Sequence, residues 1–330
     1  RAGFSNLGLD LMYGLPGEIK LTRVGILGTG VIGGGWALHF LRQGLEVVAY
    51  DPGPWSTDKL KRMVDQTWPT MERMGLKQGA SPDNLVFASS LSELAAQVQV
   101  IQESTTEELS QKQALFADLD AATDPEVIIC SSTSGLAMTD IQAKCTHPER
   151  TVVGHPFNPP YIIPLVEVVG GTRTSSESVD WAVGFYQKFG KKPIRMDKEL
   201  SGFIANRLQE ALWREALHMV NAGEATVQEI DDSIRFGPGL RWAIMGPCLT
   251  FHLAGGDDGM AHMLDHFGPS LLEPWTRLKA PELTSQLRNR MVDGCIQSAQ
   301  DNDMSNLVRQ RDDCLIRIMH ALSECGQDIK

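Results

Sequence analysis

The sequence lacks the features that would place it in several large classes of protein. Its six cysteines, Cys130, Cys145, Cys248, Cys295, Cys314 and Cys325, form no C-x-x-C pair and have no histidine at finger-like spacing. That pattern points to reduced thiols in a cytoplasmic protein and to no metal site. No apolar run approaches the ~20 residues of a membrane span, so no membrane partner is expected. Positive charge is also scarce. Thirty Lys and Arg stand against 41 Asp and Glu, a formal net charge of -11, which argues against nucleic acid as a partner. Residues 1–20 have no basic stretch leading into an unbroken apolar run, as a signal peptide would. They are read as an N-terminal extension or an expression remnant and kept out of the fold.

What is present is an ordinary globular composition, 42% hydrophobic and 22% charged over 330 residues, long enough for two domains. Leu21 to Leu27 reads as a short buried strand. It runs into Gly28-Thr-Gly30-Val31-Ile32-Gly33, which opens an apolar, helical stretch. The next apolar run ends at Asp51, 23 positions after the first glycine. A glycine turn between a strand and a helix, with an acid closing the following strand, is the signature of a dinucleotide site. Gly28 permits the tight turn, Gly30 lets backbone approach a pyrophosphate, and Gly33 lets helix and strand pack closely. The phosphates then meet the free N–H groups at the helix start. Asp51 accepts from ribose hydroxyls and repels a 2′-phosphate, so the expected cofactor is NAD.

The alternation continues through strands near 85–88, 98–103, 127–130, 151–154, 165–169 and 193–196, with helices between them, including 106–119 capped by Thr105 or Thr106. The fold class is therefore α/β: a doubly wound, mostly parallel, Rossmann-type sheet over 21–198. Residues 199–330 lose the β pattern and read as an all-helical second domain. Its helices are expected at 202–221, 226–236 (with a Thr226/Glu229 capping box), 248–254, 260–267, 281–299 and 304–325, with a break at 237–247. Apolar stripes on these helices suit pairing with a second copy, so a homodimer through this domain is expected. Glu103, at a strand end, is a candidate to face the nicotinamide ribose.

Four scattered residues carry the chemistry. Ser134 and His155 both follow directly on predicted strands, the edge where ligands bind in such sheets. Glu167 is the single charge in the apolar stretch 162–169. A lone carboxylate there needs a partner, and a histidine held by a carboxylate is a natural general base. Asn206 lies in the first turns of the long helix that opens the second domain.

The motifs GTGVIGGG, SSTSGL at 131–136, GHPFNPP at 154–160, LVEVV at 165–169 and SGFIANRL at 201–208 together resemble the 3-hydroxyacyl-CoA dehydrogenase superfamily over nearly the full length from Leu21. The resemblance implies His155 as general base, Glu167 as its partner, and Ser134 and Asn206 as ligands of the substrate oxygen, with Asn158 matching the family's asparagine near the histidine. The stretches GPGLRWAIMGPCLTFHLAGGDDGM and FGPSLLEPWTRL depart from the acyl-CoA branch. They look closest to the branch holding the L-carnitine dehydrogenases, with the lambda-crystallin and L-gulonate 3-dehydrogenase proteins next to it. A CoA-free 3-hydroxy acid, L-carnitine, is thus the substrate the resemblance implies. Alternatives are L-gulonate, a 3-hydroxyacyl-CoA, or a crystallin-like structural role. A quaternary ammonium cannot donate a hydrogen bond and calls for aromatic faces; the candidates are Tyr161, Trp242, Phe251 and Trp275. Arg207 and Arg241 are candidates for the substrate carboxylate.

Overall fold

The computed structural model describes residues 21–267, 276, 282, 284–287, 289, 290, 292, 293 and 304–324. Eight strands form one sheet: β1 (Arg23–Leu27), β2 (Glu46–Tyr50), β3 (Leu85–Phe87), β4 (Val100–Glu103), β5 (Ile128–Ser131), β6 (Thr151–Pro156), β7 (Leu165–Gly170) and β8 (Lys192–Arg195). Their spatial order is β3-β2-β1-β4-β5-β6-β7-β8. Every pairing is parallel except β6 with β7. The order reverses between β1 and β4, and a crevice opens at the carboxyl ends of the strands at such a point.

The helices of this region are α1 (Val31–Arg42), α2 (Ser56–Arg73), α3 (Leu91–Ala95), α4 (Leu109–Ala122), α5 (Met138–Ile141) and α6 (Ser176–Lys188). Side chains of a strand alternate between faces, and the core divides accordingly. Val24, Ile26, Val47, Val152, Val166 and Val168 face α1, α2 and α6, where Trp36 stacks on Phe40 at 5.3 Å. Leu27, Val48, Ile101, Val153 and Val169 face α3, α4 and α5. Period two therefore puts His155, two residues after Val153, and Glu167, two before Val169, on this second face.

Beyond the sheet lie α7 (Ala205–Ala222), α8 (Val227–Arg235), α9 (Pro238–Ala254), α10 (Gly259–Phe267) and α11 (Met304–Glu324). The capping box predicted at α8 is present: Thr226 Oγ1 accepts from the Glu229 amide while Glu229 Oε2 accepts from the Thr226 amide. Several boundaries differ from expectation, two of them for a clear local reason. Helix α4 starts at Leu109, capped by Glu108, because Thr105 already donates its N–H and hydroxyl to Glu103. The expected break at 237–247 is helical from Pro238 on, apart from Gly246. At φ 71° that glycine turns the chain ahead of Pro247 and kinks α9. Much of the helix expected at 281–299, and residues 1–20, lie outside the described residues. Among the described residues no helix is long and apolar enough to cross a membrane.

Candidate functional site

The glycine turn lies between β1 and α1. Gly28 has φ +85°, and a Cβ there would come within 2.6 Å of the Ser104 carbonyl oxygen. A Cβ on Gly33 would meet the Gly28 carbonyl oxygen at 1.8 Å, so both positions are closed to side chains. Gly30 differs: nothing lies within 4 Å of where its Cβ would be. Gly30 caps α1 without a side-chain hydrogen bond and the first turn holds no acid, so no side chain of the chain caps the helix start. Val31, beside them, is exposed, whereas Ile32 packs against the core. Asp51, after β2, is held at the mouth of this turn, accepting from the Thr29 N–H at 2.8 Å, the Thr29 hydroxyl at 3.1 Å and the Gly53 N–H at 2.8 Å. An open cradle of helix amides beside a fixed carboxylate fits a dinucleotide.

Glu103 corrects one expectation. It is fully buried at the end of β4, and both its oxygens are taken. Oε1 accepts from Lys112 Nζ at 2.7 Å and from Thr105, and Oε2 accepts from the Ser131 hydroxyl at 2.6 Å. It therefore does not face the cofactor crevice; it neutralises a buried lysine. The acid that holds the loop after β5 is Glu107, which sequence reasoning missed. Its Oε1 accepts from the Thr133 hydroxyl at 2.6 Å and from the Ser134 and Gly135 N–H groups at 2.8 and 3.2 Å. One carboxylate thus shapes the loop after β5 that carries Ser134. The available signal was a second acid four positions after the strand-end acid.

His155 and Glu167 are direct register partners in the antiparallel β6–β7 pair. His155 Nδ1 lies 2.9 Å from Glu167 Oε2. The imidazole is 4% exposed, between the rings of Phe157 at 4.9 Å and Phe203 at 5.1 Å. The other oxygen, Oε1, accepts from the Ile204 and Ala205 N–H groups at 2.9 and 3.0 Å, at the start of α7. Burial pushes the Glu167 carboxyl up. The hydrogen bonds from His155 and the two amides outweigh it and hold the group below the usual carboxylate range. Next to Ala205, Asn206 donates its side-chain amide to the Ser134 carbonyl at 2.9 Å. All four sequence candidates are thereby joined: His155 to Glu167, Glu167 to the helix bearing Asn206, and Asn206 to Ser134.

The substrate candidates are more dispersed. Asn158 is exposed in the turn after β6. Lys191, buried over the face of Trp36, donates to the Pro160 and Ile163 carbonyls of the same turn. Tyr161 is not available to a cation: it is 6% exposed within the sheet core and its hydroxyl donates to Asp312 of α11 at 2.9 Å. Arg207 lines a ≈ 690 Å³ depression with Ser201, Gly202, Glu210, Ala211 and Arg214. Asn206 opens instead on a ≈ 810 Å³ groove between α7 and α8. Arg241 and Phe251 are exposed on α9 and Trp242 is half-buried there. Neither aromatic lines either cavity. Trp275 lies outside the described residues. Among the described residues no cluster of three His, Cys, Asp or Glu side chains could hold a metal ion.

An open dinucleotide turn at the edge of a doubly wound sheet, with a carboxylate-held histidine at the same edge, defines an NAD-dependent dehydrogenase. The chain belongs to the 3-hydroxyacyl-CoA dehydrogenase family. Residues 23–200 match the 3-hydroxyacyl-CoA dehydrogenase NAD-binding domain and residues 202–291 match its C-terminal domain. It is 56% identical to an L-carnitine dehydrogenase of Streptomyces coelicolor, covering 94% of this chain and 97% of that one. It is 50% identical to an L-carnitine dehydrogenase of Pseudomonas aeruginosa, covering 90% and 93%. Among solved structures, an (S)-3-hydroxybutyryl-CoA dehydrogenase from Ralstonia eutropha superposes with a TM-score of 0.62 at 26% identity, covering 83% of this chain and 94% of that one. The same fold occurs in 5-formyl-3-hydroxy-2-methylpyridine 4-carboxylic acid 5-dehydrogenase, an NAD+-dependent dismutase. Its TM-score is 0.78 at 24% identity, covering 92% and 99%.

Proposed function

We propose that this chain oxidises the 3-hydroxyl of L-carnitine to the ketone of 3-dehydrocarnitine. The observation that carries the substrate is 56% identity to an L-carnitine dehydrogenase across nearly the whole of both chains. The observation that supports the chemistry is the continuous chain of hydrogen bonds from His155 through Glu167 to the helix that bears Asn206.

NAD, when bound, supplies the acceptor for the hydride that leaves C3. The Gly28–Gly33 turn and the α1 amides would hold its phosphates, and Asp51 would hold its adenosine ribose. The protein's own part is proton transfer and positioning. An ionised carboxylate can only accept, so Glu167 Oε2 draws the imidazole proton to Nδ1 and leaves a lone pair on Nε2. Nε2 takes the 3-hydroxyl proton, and Glu167 stabilises the imidazolium that forms. The Asn206 amide keeps one N–H for the substrate oxygen after donating the other to Ser134, and the exposed Ser134 hydroxyl joins it. General-base assistance typically supplies ~10²–10⁴-fold, and positioning beside the nicotinamide adds to it. The protein acts in the cytoplasm as a homodimer through its helical region, where Leu208, Phe236, Leu240 and Leu253 are more than half exposed.

The test is NADH formation with L-carnitine, D-carnitine, L-gulonate and 3-hydroxybutyryl-CoA side by side. L-carnitine turns over fastest; silence with it beside strong turnover of another refutes the assignment. His155→Ala lowers kcat at least ~10²-fold with NAD binding retained.

A further inference from the structure

The groove between α7 and α8 begins at Asn206, which the proposed reaction places on the substrate hydroxyl. It is lined by Asn206, Gln209, Leu212, Trp213, Met219, Val227, Ile230 and other residues of the two helices. Its one aromatic lining residue is Trp213, 53% exposed. Trp213 follows Asn206 by seven residues, two helical turns, so both share one face of α7. Long helical side chains lean toward the helix N-terminus, which carries the indole back toward Asn206. The charged residues lining the groove are Glu210, Glu215, Asp231 and Arg235; Glu210 pairs with Arg214, and Arg235 with Asp232 at 3.6 Å.

We propose that Trp213 is the specificity-determining residue for the cationic head of the substrate: its ring receives the trimethylammonium group in the α7–α8 groove while Asn206 holds the hydroxyl. This rests on the L-carnitine assignment above. A quaternary ammonium has no N–H to donate, so it is recognised by an aromatic face. The groove offers one in Trp213. The aromatics singled out in the sequence do not compete for the site among the described residues: Tyr161 is in the sheet core, and Trp242 and Phe251 line no cavity that Asn206 shares. In L-carnitine the nitrogen lies two bonds from the carbon that bears the hydroxyl. Laid along α7, a substrate held at Asn206 would bring its methyls toward the indole.

The discriminating experiment compares L-carnitine with its neutral isostere, 3-hydroxy-5,5-dimethylhexanoate, in which carbon replaces nitrogen. Trp213→Ala raises KM for L-carnitine by about 10-fold, the loss of one desolvated cation–π contact. It changes KM for the isostere less and leaves KM for NAD and the sedimentation coefficient as they were. Trp213→Phe retains a ring and recovers most of the preference for the cation. An unchanged KM for L-carnitine in Trp213→Ala overturns the proposal. So does an equal loss for both substrates, which would mean shape alone, or a change in sedimentation, which would mean that Trp213 belongs to an interface between copies. Wild-type protein inactive on L-carnitine sinks the reaction itself; active wild type with an indifferent Trp213 sinks only this inference.

Discussion

The two halves of the chain bury their apolar side chains very differently. In the sheet region, Trp36, Phe40, Phe116, Leu38 and Leu41 are fully buried. The large hydrophobics left exposed there are Val31, Trp55, Leu76, Val86 and Ile194. In the helical region, Val220, Val227 and Leu287 form a small cluster. Leu208, Phe236, Leu240, Leu249, Phe251, Leu253 and Leu264 are half exposed or nearly so. The charges follow the same division. Asp120 and Arg150 pair at 2.8 Å with neither side chain more than 3% exposed, while Arg235 and Asp232 pair at 3.6 Å in the open. A region that closes on itself makes a rigid platform for a cofactor. A region that leaves its apolar faces uncovered has surface available for a substrate and for a second copy of the chain.

Removing each acid tests that contrast most directly. Asp120 accepts from Arg150 and from the Thr146 and His147 N–H groups at 2.6 and 2.9 Å. Asp120→Ala strands a buried guanidinium and costs ~3–5 kcal/mol in urea unfolding. Asp232→Ala removes an exposed pair and costs no more than ~0.5 kcal/mol. Similar losses for the two would erase the distinction.

Glu167 joins the regions, and it makes stability depend on pH. Its folded carboxyl is held below the ordinary glutamate range. Its contribution is thus complete above the unfolded value of about 4.3 and is lost as pH falls through the lower folded value. Glu167→Gln keeps an acceptor for the Ile204 and Ala205 amides but loses the charge, at ~2 kcal/mol near neutral pH. The gap in melting temperature between wild type and variant is widest at pH 7 and narrows on acidification toward about pH 3, followed by circular dichroism. A gap that holds constant with pH would show that Glu167 is not an ionised partner of His155.

Much of this was legible in the sequence, and the part that was not has a common cause. The glycine turn with Asp51 is a local pattern, and each of its glycines answers a local steric demand. The Glu167–His155 contact was legible because a lone acid in an apolar strand needs a partner, and antiparallel register supplied one. Glu103 was misread because burial depends on its neighbours in space. Lys112, nine residues on in α4, neutralises it, and periodicity does not show which strand-end acid will find a lysine. Tyr161 was misread for the same reason, since its partner Asp312 is 151 residues away. Trp213 was overlooked because nothing local sets it apart from the other apolar residues of α7, although its seven-residue spacing from Asn206 was available.

The helical faces provide a smaller effect on protomer stability with a larger one on assembly. Phe236 and Leu240 are 70% and 61% exposed. Replacing both with serine changes the unfolding free energy of the protomer by no more than ~0.5 kcal/mol, as for other surface sites. If these faces are covered by a second copy, the same pair of changes lowers the sedimentation coefficient toward that of a monomer. Unchanged sedimentation would mean that the uncovered surface serves another purpose.

The smallest effect, on reactivity alone, is expected at the cysteines. Cys130 in β5 is fully buried and Cys145 nearly so; burial pushes their thiols up to about 12 and about 11, respectively. Cys248 in α9 and Cys314 in α11 are exposed. The thiolate is the reactive form, so iodoacetamide at pH 8 labels Cys248 and Cys314 in the native protein. Cys130 and Cys145 become labelled only after unfolding, and peptide mass spectrometry separates the four. Early labelling of Cys130 would mean that the sheet opens more readily than its packing implies. Native protection of Cys248 that fades on dilution would place α9 beneath a second copy of the chain.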